Sequence, residues 1–374
     1  MSYRYSNSFI DPGLNTLVAP TPSYQPYLYS WGQNNYGQIG AGNITYYSSP
    51  KQVGSLSTWK NIAGGQYFFL ATKVDGTLWA WGRNNKGQLG FGNTTNYSSP
   101  KQVGSLTNWL SIACGYYHTT AIKTDGTLWS WGFNTSGQLG QGNTTNLSSP
   151  KQIGLLTNWL NVACGRYHTL ATKTDGTLWT WGKNQSGQLG AGNTTYYSSP
   201  KQIGALTNWL NVSSAQYSSY AIKTNNTLWS WGNGAQSQLG LGNATDYSSP
   251  KQIGALTNWL NSAAGVYFAL SVKTNGTLWS WGNNAQGQLG LGNATKYSSP
   301  MQIGALTSWS AIACGTTYVL AIQSNKTLWA WGYNTSGQLG QGNVTSLASP
   351  KQVGILTTWL NIAAGAATSI ATQF

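Results

Sequence analysis

The chain has 374 residues, 6% of them charged, with 47 glycines, 20 tryptophans and a formal net charge of +14. Without a single glutamate and with five aspartates, it has few groups for acid-base chemistry, and its Gly, Asn, Thr and Ser content excludes an architecture of long helices. No stretch is long and apolar enough to span a membrane as a helix, so membrane insertion is not expected.

Residues 1–24 carry Tyr, Phe, Leu and Pro-Gly turn signals but no continuous apolar segment after a basic start, so they do not resemble a signal peptide. They are expected to form an extended arm that docks on a surface. From Gln25 onward the chain repeats itself. A Trp-Gly pair begins at 31, 81, 131, 181, 231, 281 and 331, always fifty residues apart. Repeats of this length made of short strands and turns indicate a propeller or solenoid.

In the second unit the turn signals predict strands over Thr77–Gly82, Pro100–Gly104, Trp109–Gly115 and His118–Thr124. A long Gly/Asn loop, Arg83–Ser99, separates the first two, and Asp125-Gly126 closes the last as a hairpin. Four antiparallel strands per unit make a blade. Residues 25–374 hold seven whole periods, the last ending at Thr368–Gln373 without the Trp-bearing partner that other units have. That partner is Tyr27–Trp31 at the other end, and pairing the two removes an open sheet edge. The expected fold is all-β: a seven-bladed β-propeller of four-stranded antiparallel blades, closed by its terminal strands.

The tryptophans fall into three registers, led by Trp31, Trp79 and Trp59, which suits packing between blades better than a row of sugar-stacking platforms. The Asn-x-Thr sequons from Asn43 to Asn343 occupy one turn in every unit. His118 and His168 begin strands that end beside Asp125 and Asp175, about 23 Å away in extended chain, so no His-Asp dyad forms within a blade. Cys114 with His118 and Cys164 with His168 superficially suggest a metal site, but Gly64, Ser214, Ala264 and Ala364 fill the same register, as a tight packing spot would require. Neither catalytic residues nor a cofactor or metal is expected. Eleven of the nineteen basic residues are repeat positions, such as Lys101 and Lys123, expected to form one solvating ring near each face. No basic cluster or tail marks a nucleic-acid site, which ranks that partner low without excluding it.

Function should lie where units differ. The Asp-Gly hairpins and Leu-Thr-Asn loops emerge on one face and are nearly constant. On the other, one register holds Gln33, Arg83, Phe133, Lys183, Asn233, Asn283 and Tyr333; a second holds Gln66, Tyr116, Arg166, Gln216, Val266, Thr316 and Ala366; a third holds Phe68, His118, His168, Ser218, Phe268, Tyr318 and Thr368. Aromatic and arginine residues on a rigid rim are the composition of a recognition surface. The candidate partner-binding set is Gln66, Phe68, Arg83, Lys86, Phe91, Tyr116, His118, Phe133, Arg166, His168, Lys183, Phe268, Tyr318 and Tyr333.

The G-Q-L-G-x-G loop, the S-P-K-Q-V strand, the A-x-G-x-x-H turn and the D-G-x-L-W-x-W-G hairpin resemble regulator of chromosome condensation repeats, over Gln25 to Phe374. The resemblance implies the propeller, but members range from a nucleotide exchange factor that binds chromatin to parts of ubiquitin ligases and a β-lactamase inhibitor. In the exchange factor, histidines of the G-x-x-H turn, acidic residues and a protruding insertion engage the GTPase. Here only His118 and His168 keep that histidine and no unit carries an insertion. The expectation is therefore a non-enzymatic recognition propeller that binds a protein through its variable face. Its low charge and its Asn, Thr, Tyr and Gly content resemble virion or extracellular surface proteins, with homo-oligomer or virion assembly and a glycan ligand as further partner classes. An intracellular adaptor, or an exchange factor or chromatin-binding propeller, is the alternative.

Overall fold

The computed structural model describes residues 25–374; the expected arm, 1–24, lies outside them. Seven four-stranded antiparallel sheets surround a central channel. The chain enters with β1 (Tyr27–Gly32) and β2 (Tyr47–Gln52), then builds a complete blade from β3 (Trp59–Gly64), β4 (Phe68–Lys73), β5 (Leu78–Gly82) and β6 (Tyr97–Gln102). This order repeats until β27 (Trp359–Ala364) and β28 (Thr368–Gln373), which complete the blade opened by β1 and β2. Tyr27 pairs with Gln373 and Gly32 with Thr368, the expected terminal closure.

The sequence unit and the blade are out of phase. A unit cut at its hairpin contributes its first two strands to one blade and its last two to the next, which is why the closing blade takes two strands from each end. The outer strand also begins earlier than Pro100, at Tyr97, and ends at Gln102. Its pairing with β5 runs from Ala80–Lys101 to Gly82–Tyr97, so two steps on one strand face four on the other. Pro100 sits inside that bulge on a sheet edge, where its missing N–H breaks no ladder bond.

Blades are locked together by the inner tryptophan of the third strand. Trp81 Nε1 donates to the Gln38 carbonyl of the preceding blade's loop at 2.9 Å, and all seven units repeat the bond. These seven indoles are fully buried. The G-Q-L-G motif follows from that contact: a Cβ on Gly90 would lie 2.9 Å from Trp131 Nε1, and Gly90 has φ +84°. Inside the loop a buried Asn84 is the scaffold, with its Oδ1 accepting from the Leu89 N–H at 2.9 Å and its Nδ2 donating to the Asn93 carbonyl at 3.0 Å. The sequon asparagines serve this turn, since Asn93 Oδ1 accepts from the Thr95 N–H at 3.0 Å.

Three expectations need correction. The Trp79 register is half-buried, not core, and its indole donates to Thr77 Oγ1 at 2.9 Å. The lysine rings are concentric, not one per face: Lys101 lies on the outer strand, while Lys123 ends the second strand beside the Asp-Gly hairpin. The inner ring is no solvating ring either. Lys123 is 5% exposed, with Nζ 3.7 Å from the Trp129 ring centroid and 4.8 Å from that of Trp109. Burial lowers its pKa, partly opposed by Asp125.

Candidate interaction face

The turns between inner and second strands (65–67 in the complete blade) and the long loops between third and outer strands (83–96) emerge together, as the Arg83 N–H to Tyr67 carbonyl bond of 2.8 Å shows. The opposite, hairpin face is nearly uniform, with the same leucine exposed in every unit, from Leu56 to Leu356. It varies at the residue before that leucine, where Leu155 and Ile355 are 91% and 89% exposed, but the aromatic and cationic variation lies on the loop face.

On that face the side chains form a continuous aromatic and cationic arc. Tyr36 and Tyr67 have ring centroids 5.2 Å apart, Tyr117 and Phe133 6.1 Å, and Phe133 and Tyr167 6.0 Å. The Arg83 guanidinium lies 4.6, 5.5 and 5.7 Å from the ring centroids of Tyr36, Tyr117 and Tyr67. Arg166 repeats the arrangement over Tyr116, Tyr167 and Tyr217 at 4.7, 5.0 and 5.7 Å, and its Nη1 donates to the Tyr217 hydroxyl at 2.9 Å. Lys86 sits 5.5 Å from Phe133, and Lys183 lies between Tyr167 and Tyr217 at 5.4 and 5.8 Å. Cations over ring faces are held by the quadrupole, which fixes flexible side chains in place. Burial raises the Tyr67 and Tyr116 hydroxyl pKa values, so both phenols stay protonated at neutral pH.

Arg83, Lys86, Tyr116, Phe133, Arg166 and Lys183 therefore come together. Phe68, His118, His168, Phe268 and Tyr318 do not, because all are 0% exposed beneath the turns, and their assignment to a contact surface is corrected. The physical reason is the blade's two-sided burial: position 68 begins a strand whose alternate side chains all face a neighbouring blade. His118 Nε2 lies 3.1 Å from Thr169 Oγ1 of the next blade, and the Thr169 hydroxyl donates to the Gln138 carbonyl at 3.0 Å. Thr169 must then accept, which assigns the proton to His118 Nε2. His168 makes the same contact with Ser219 at 3.0 Å. Burial holds both imidazoles neutral, with pKa values of about 3. Tyr318 donates instead to the Thr368 carbonyl at 2.7 Å.

The remaining expected residues are dispersed. Phe91 lies on the outer wall, against Tyr97 at 4.8 Å, with Lys101 5.2 Å away. Tyr333 is half-buried at the start of its loop, in a blade whose turn carries Thr317 in place of the Tyr67-register tyrosine. Gln66 belongs to a ring that sequence reasoning missed. Its carbonyl accepts from the Ala366 N–H at 3.0 Å, its N–H donates to the Tyr116 carbonyl at 3.4 Å, and similar bonds join Arg166 to Gln216, Val266 to Thr316 and Thr316 to Ala366. Five main-chain bonds thus link neighbouring blades around the channel mouth at the second variable register, and its side chains stand on a fixed support.

Also missed were Tyr36 and the tyrosines at 67, 117, 167, 217 and 267. Their signal was present, a Tyr between two registers singled out as variable, but five identical residues look like scaffold. Among the described residues no three His, Cys, Asp or Glu side chains gather as metal ligands. The three cysteines are free, and burial pushes the Cys164 thiol up to about 12, so it stays protonated at neutral pH.

The sequence profile of the RCC1-like domain matches residues 148–371, more than half of the chain, and that of the regulator of chromosome condensation (RCC1) repeat matches 27–72 and 75–122. No curated protein sequence matches the chain significantly. Among solved structures, Prp20p of Saccharomyces cerevisiae superposes with a TM-score of 0.85 at 20% identity, covering 94% of this chain and 92% of that one. Human WBSCR16 gives 0.83 at 22% identity, covering 93% and 98%. At such identities the likeness concerns the fold alone. Fold, repeat motifs and profile matches agree: the chain belongs to the regulator of chromosome condensation (RCC1) repeat family.

Proposed function

We propose that this chain is a non-catalytic recognition propeller that binds a protein partner through one sector of its loop face. The observation that carries this reading is the arc from Tyr36 to Tyr217, in which Arg83 and Arg166 are each held by three tyrosine rings. Tyrosine and arginine dominate the energetics of protein interfaces, and side chains already ordered lose little entropy on binding. An intracellular adaptor suits the relatives better than a virion or extracellular component. Prp20p was solved with its binding to Gsp1p and histones described, and in a further structure it is bound to Kap60. The buried His118 and His168, together with the absence of any carboxylate in the arc among the described residues, favour adaptor over exchange factor. The arm, 1–24, would serve as a separate anchor.

The test is capture from a lysate of the native source by the intact chain, by Arg83→Ala/Tyr116→Ala/Phe133→Ala/Arg166→Ala, and by the wall variant Lys101→Gln/Lys151→Gln. A protein kept by the wall variant and lost by the arc variant, with both folded by circular dichroism, supports the reading. Identical recovery by all three sinks it, and stimulated nucleotide release from a small GTPase would replace it with the exchange-factor reading.

A further inference from the structure

Resting on that reading, we infer that the arc is built to receive an acidic segment of its partner, with the guanidiniums of Arg83 and Arg166 as paired carboxylate receptors. Three observations carry the inference.

The first is charge segregation. Arg83, Lys86, Arg166 and Lys183 share one sector of the loop face, whereas Asp75, Asp125 and Asp175 lie in the hairpin turns of the opposite face. Asp246 is committed to its own loop, where its Oδ1 accepts from the Gly234 N–H at 2.8 Å. Among the described residues no carboxylate neutralises the arc. Like charges crowd there, since Lys183 has its pKa lowered by burial and then by Arg166.

The second is unused donor capacity. A guanidinium has five N–H donors arranged as a planar fork. Arg83 makes ring contacts to three tyrosines, yet its guanidinium N–H groups have no side-chain or main-chain acceptor among the described residues, although the side chain is half-buried. Arg166 is anchored through one nitrogen by the Tyr217 hydroxyl and, with the Gln216 amide turned oxygen-first, by that group as well.

The third is preorganisation. The rings of Tyr116 and Tyr117, 5.9 Å apart, connect the two cages, because Tyr117 contacts Arg83 and Tyr116 contacts Arg166. Tyrosines at 36, 67 and 117 clamp the first fork, and those at 116, 167 and 217 the second. A guanidinium ordered before binding gives a bidentate carboxylate contact its full geometric advantage.

Single-stranded nucleic acid is the competing occupant, since it too combines anions with stacking partners. The arc's tyrosine faces are taken up by its own cations and neighbouring rings, leaving few free for successive bases, so carboxylates are favoured.

The experiment uses the full chain and a fluorescein-labelled peptide of alternating Glu and Gly, followed by anisotropy. Saturable binding is expected, weakened about tenfold or more in Arg83→Gln/Arg166→Gln and also in Arg83→Lys/Arg166→Lys, which keeps charge but loses the fork. The charge-matched wall variant Lys101→Gln/Lys151→Gln should bind within about twofold of the parent, because exposed single charges contribute little. Absence of saturable binding, equal loss in the wall variant, or displacement of the peptide by less oligo(dT) of equal charge than by unlabelled peptide would overturn the inference. If a protein is captured through the arc yet this peptide fails to compete it off, the acidic chemistry falls and the binding face stands.

Discussion

Trp31 Nε1 donates to the main-chain carbonyl of Gln338 at 2.9 Å, joining residues 307 positions apart across the seam of the ring. Ser369 Oγ donates to the same carbonyl at 2.7 Å, so a residue from each terminal strand converges on one acceptor. Trp31→Ala should cost about 3–5 kcal/mol, as expected when a large buried aromatic is removed. Trp131→Ala should cost the same locally, because Trp131 makes the same bond to Gln88 at 2.9 Å. Only the first variant loosens the closure. Amide exchange of β1 and β28 should rise more in Trp31→Ala than exchange of the corresponding strands does in Trp131→Ala; equal changes would show that the seam carries no extra load.

His118 and His168 make stability sensitive to acid. Their folded pKa values of about 3 lie below the usual histidine value of 6.5, so the unfolded chain binds more protons between the two. The stabilisation is fully present above pH 6.5 and is lost as pH falls toward 3. At pH 5 each site should already have lost about 2 kcal/mol. His118→Phe/His168→Phe should flatten urea midpoints between pH 6.5 and 4, and the native ring offers a precedent in Phe68, buried in the same register. The hairpin aspartates act lower. Thr127 Oγ1 and the Thr127 N–H depress the Asp125 pKa below 3.8, so their loss begins where the histidine effect is nearly spent. An unchanged acid slope in the double variant would refute this account.

The fold was readable because one period recurs without slippage, and a strict repeat forces equal blades. The site was readable only in part, and Phe68 and Tyr67 show why. In an ordinary half-buried sheet, alternation separates inside from outside. A propeller blade packs on both faces, so Phe68, Phe69 and Leu70 are all fully buried, and a variable position there reports on packing, not contact. Tyr67, one residue earlier, is half-buried in the turn and contacts Arg83, yet its constancy concealed it. The ring of main-chain bonds through Gln66 leaves no trace in side-chain identity at all.

Position 68 and its glycine are chemically coupled. A Cβ on Gly115 would lie 2.2 Å from His118 Cε1, and one on Gly165 2.1 Å from His168 Cε1. In the blade of Ser218 both ring and glycine are absent: Ser218 is accompanied by Ala215, and Tyr220 fills the space, donating to the Gln238 carbonyl at 2.6 Å, whereas Thr368 keeps Gly365, where a Cβ would meet the Gly65 carbonyl oxygen at 2.9 Å. Gly115→Ala should therefore destabilise by about 1–3 kcal/mol or more through overpacking, and His118→Ser in the same chain should recover part of it. A double-mutant cycle by urea denaturation should give a coupling of about 0.5–3 kcal/mol, the range for residues in contact. Additive single effects would mean that the glycine is required for some reason other than the ring above it.

The fifth loop breaks the repeat in a way that predicts a stabilising change. Ser237 has φ 63°, in a register where glycine otherwise stands, for example Gly187 at 76° and Gly287 at 72°. A left-handed conformation costs a residue with a Cβ about 1–2 kcal/mol, whereas glycine gives back about 0.4–1 kcal/mol through its freer unfolded chain. Ser237→Gly should thus stabilise the protein slightly, by about 0.5 kcal/mol. The reverse change should be worse than a simple mirror image. In Gly137→Ser the new Cβ would meet Ser198 Cα at 2.6 Å, so steric overlap adds to the conformational cost. Urea midpoints should rise marginally for Ser237→Gly and fall clearly for Gly137→Ser. A fall for both would show that the fifth loop has adapted to its serine, with the Ser237 N–H to Gly234 carbonyl bond of 2.7 Å the first contact to inspect.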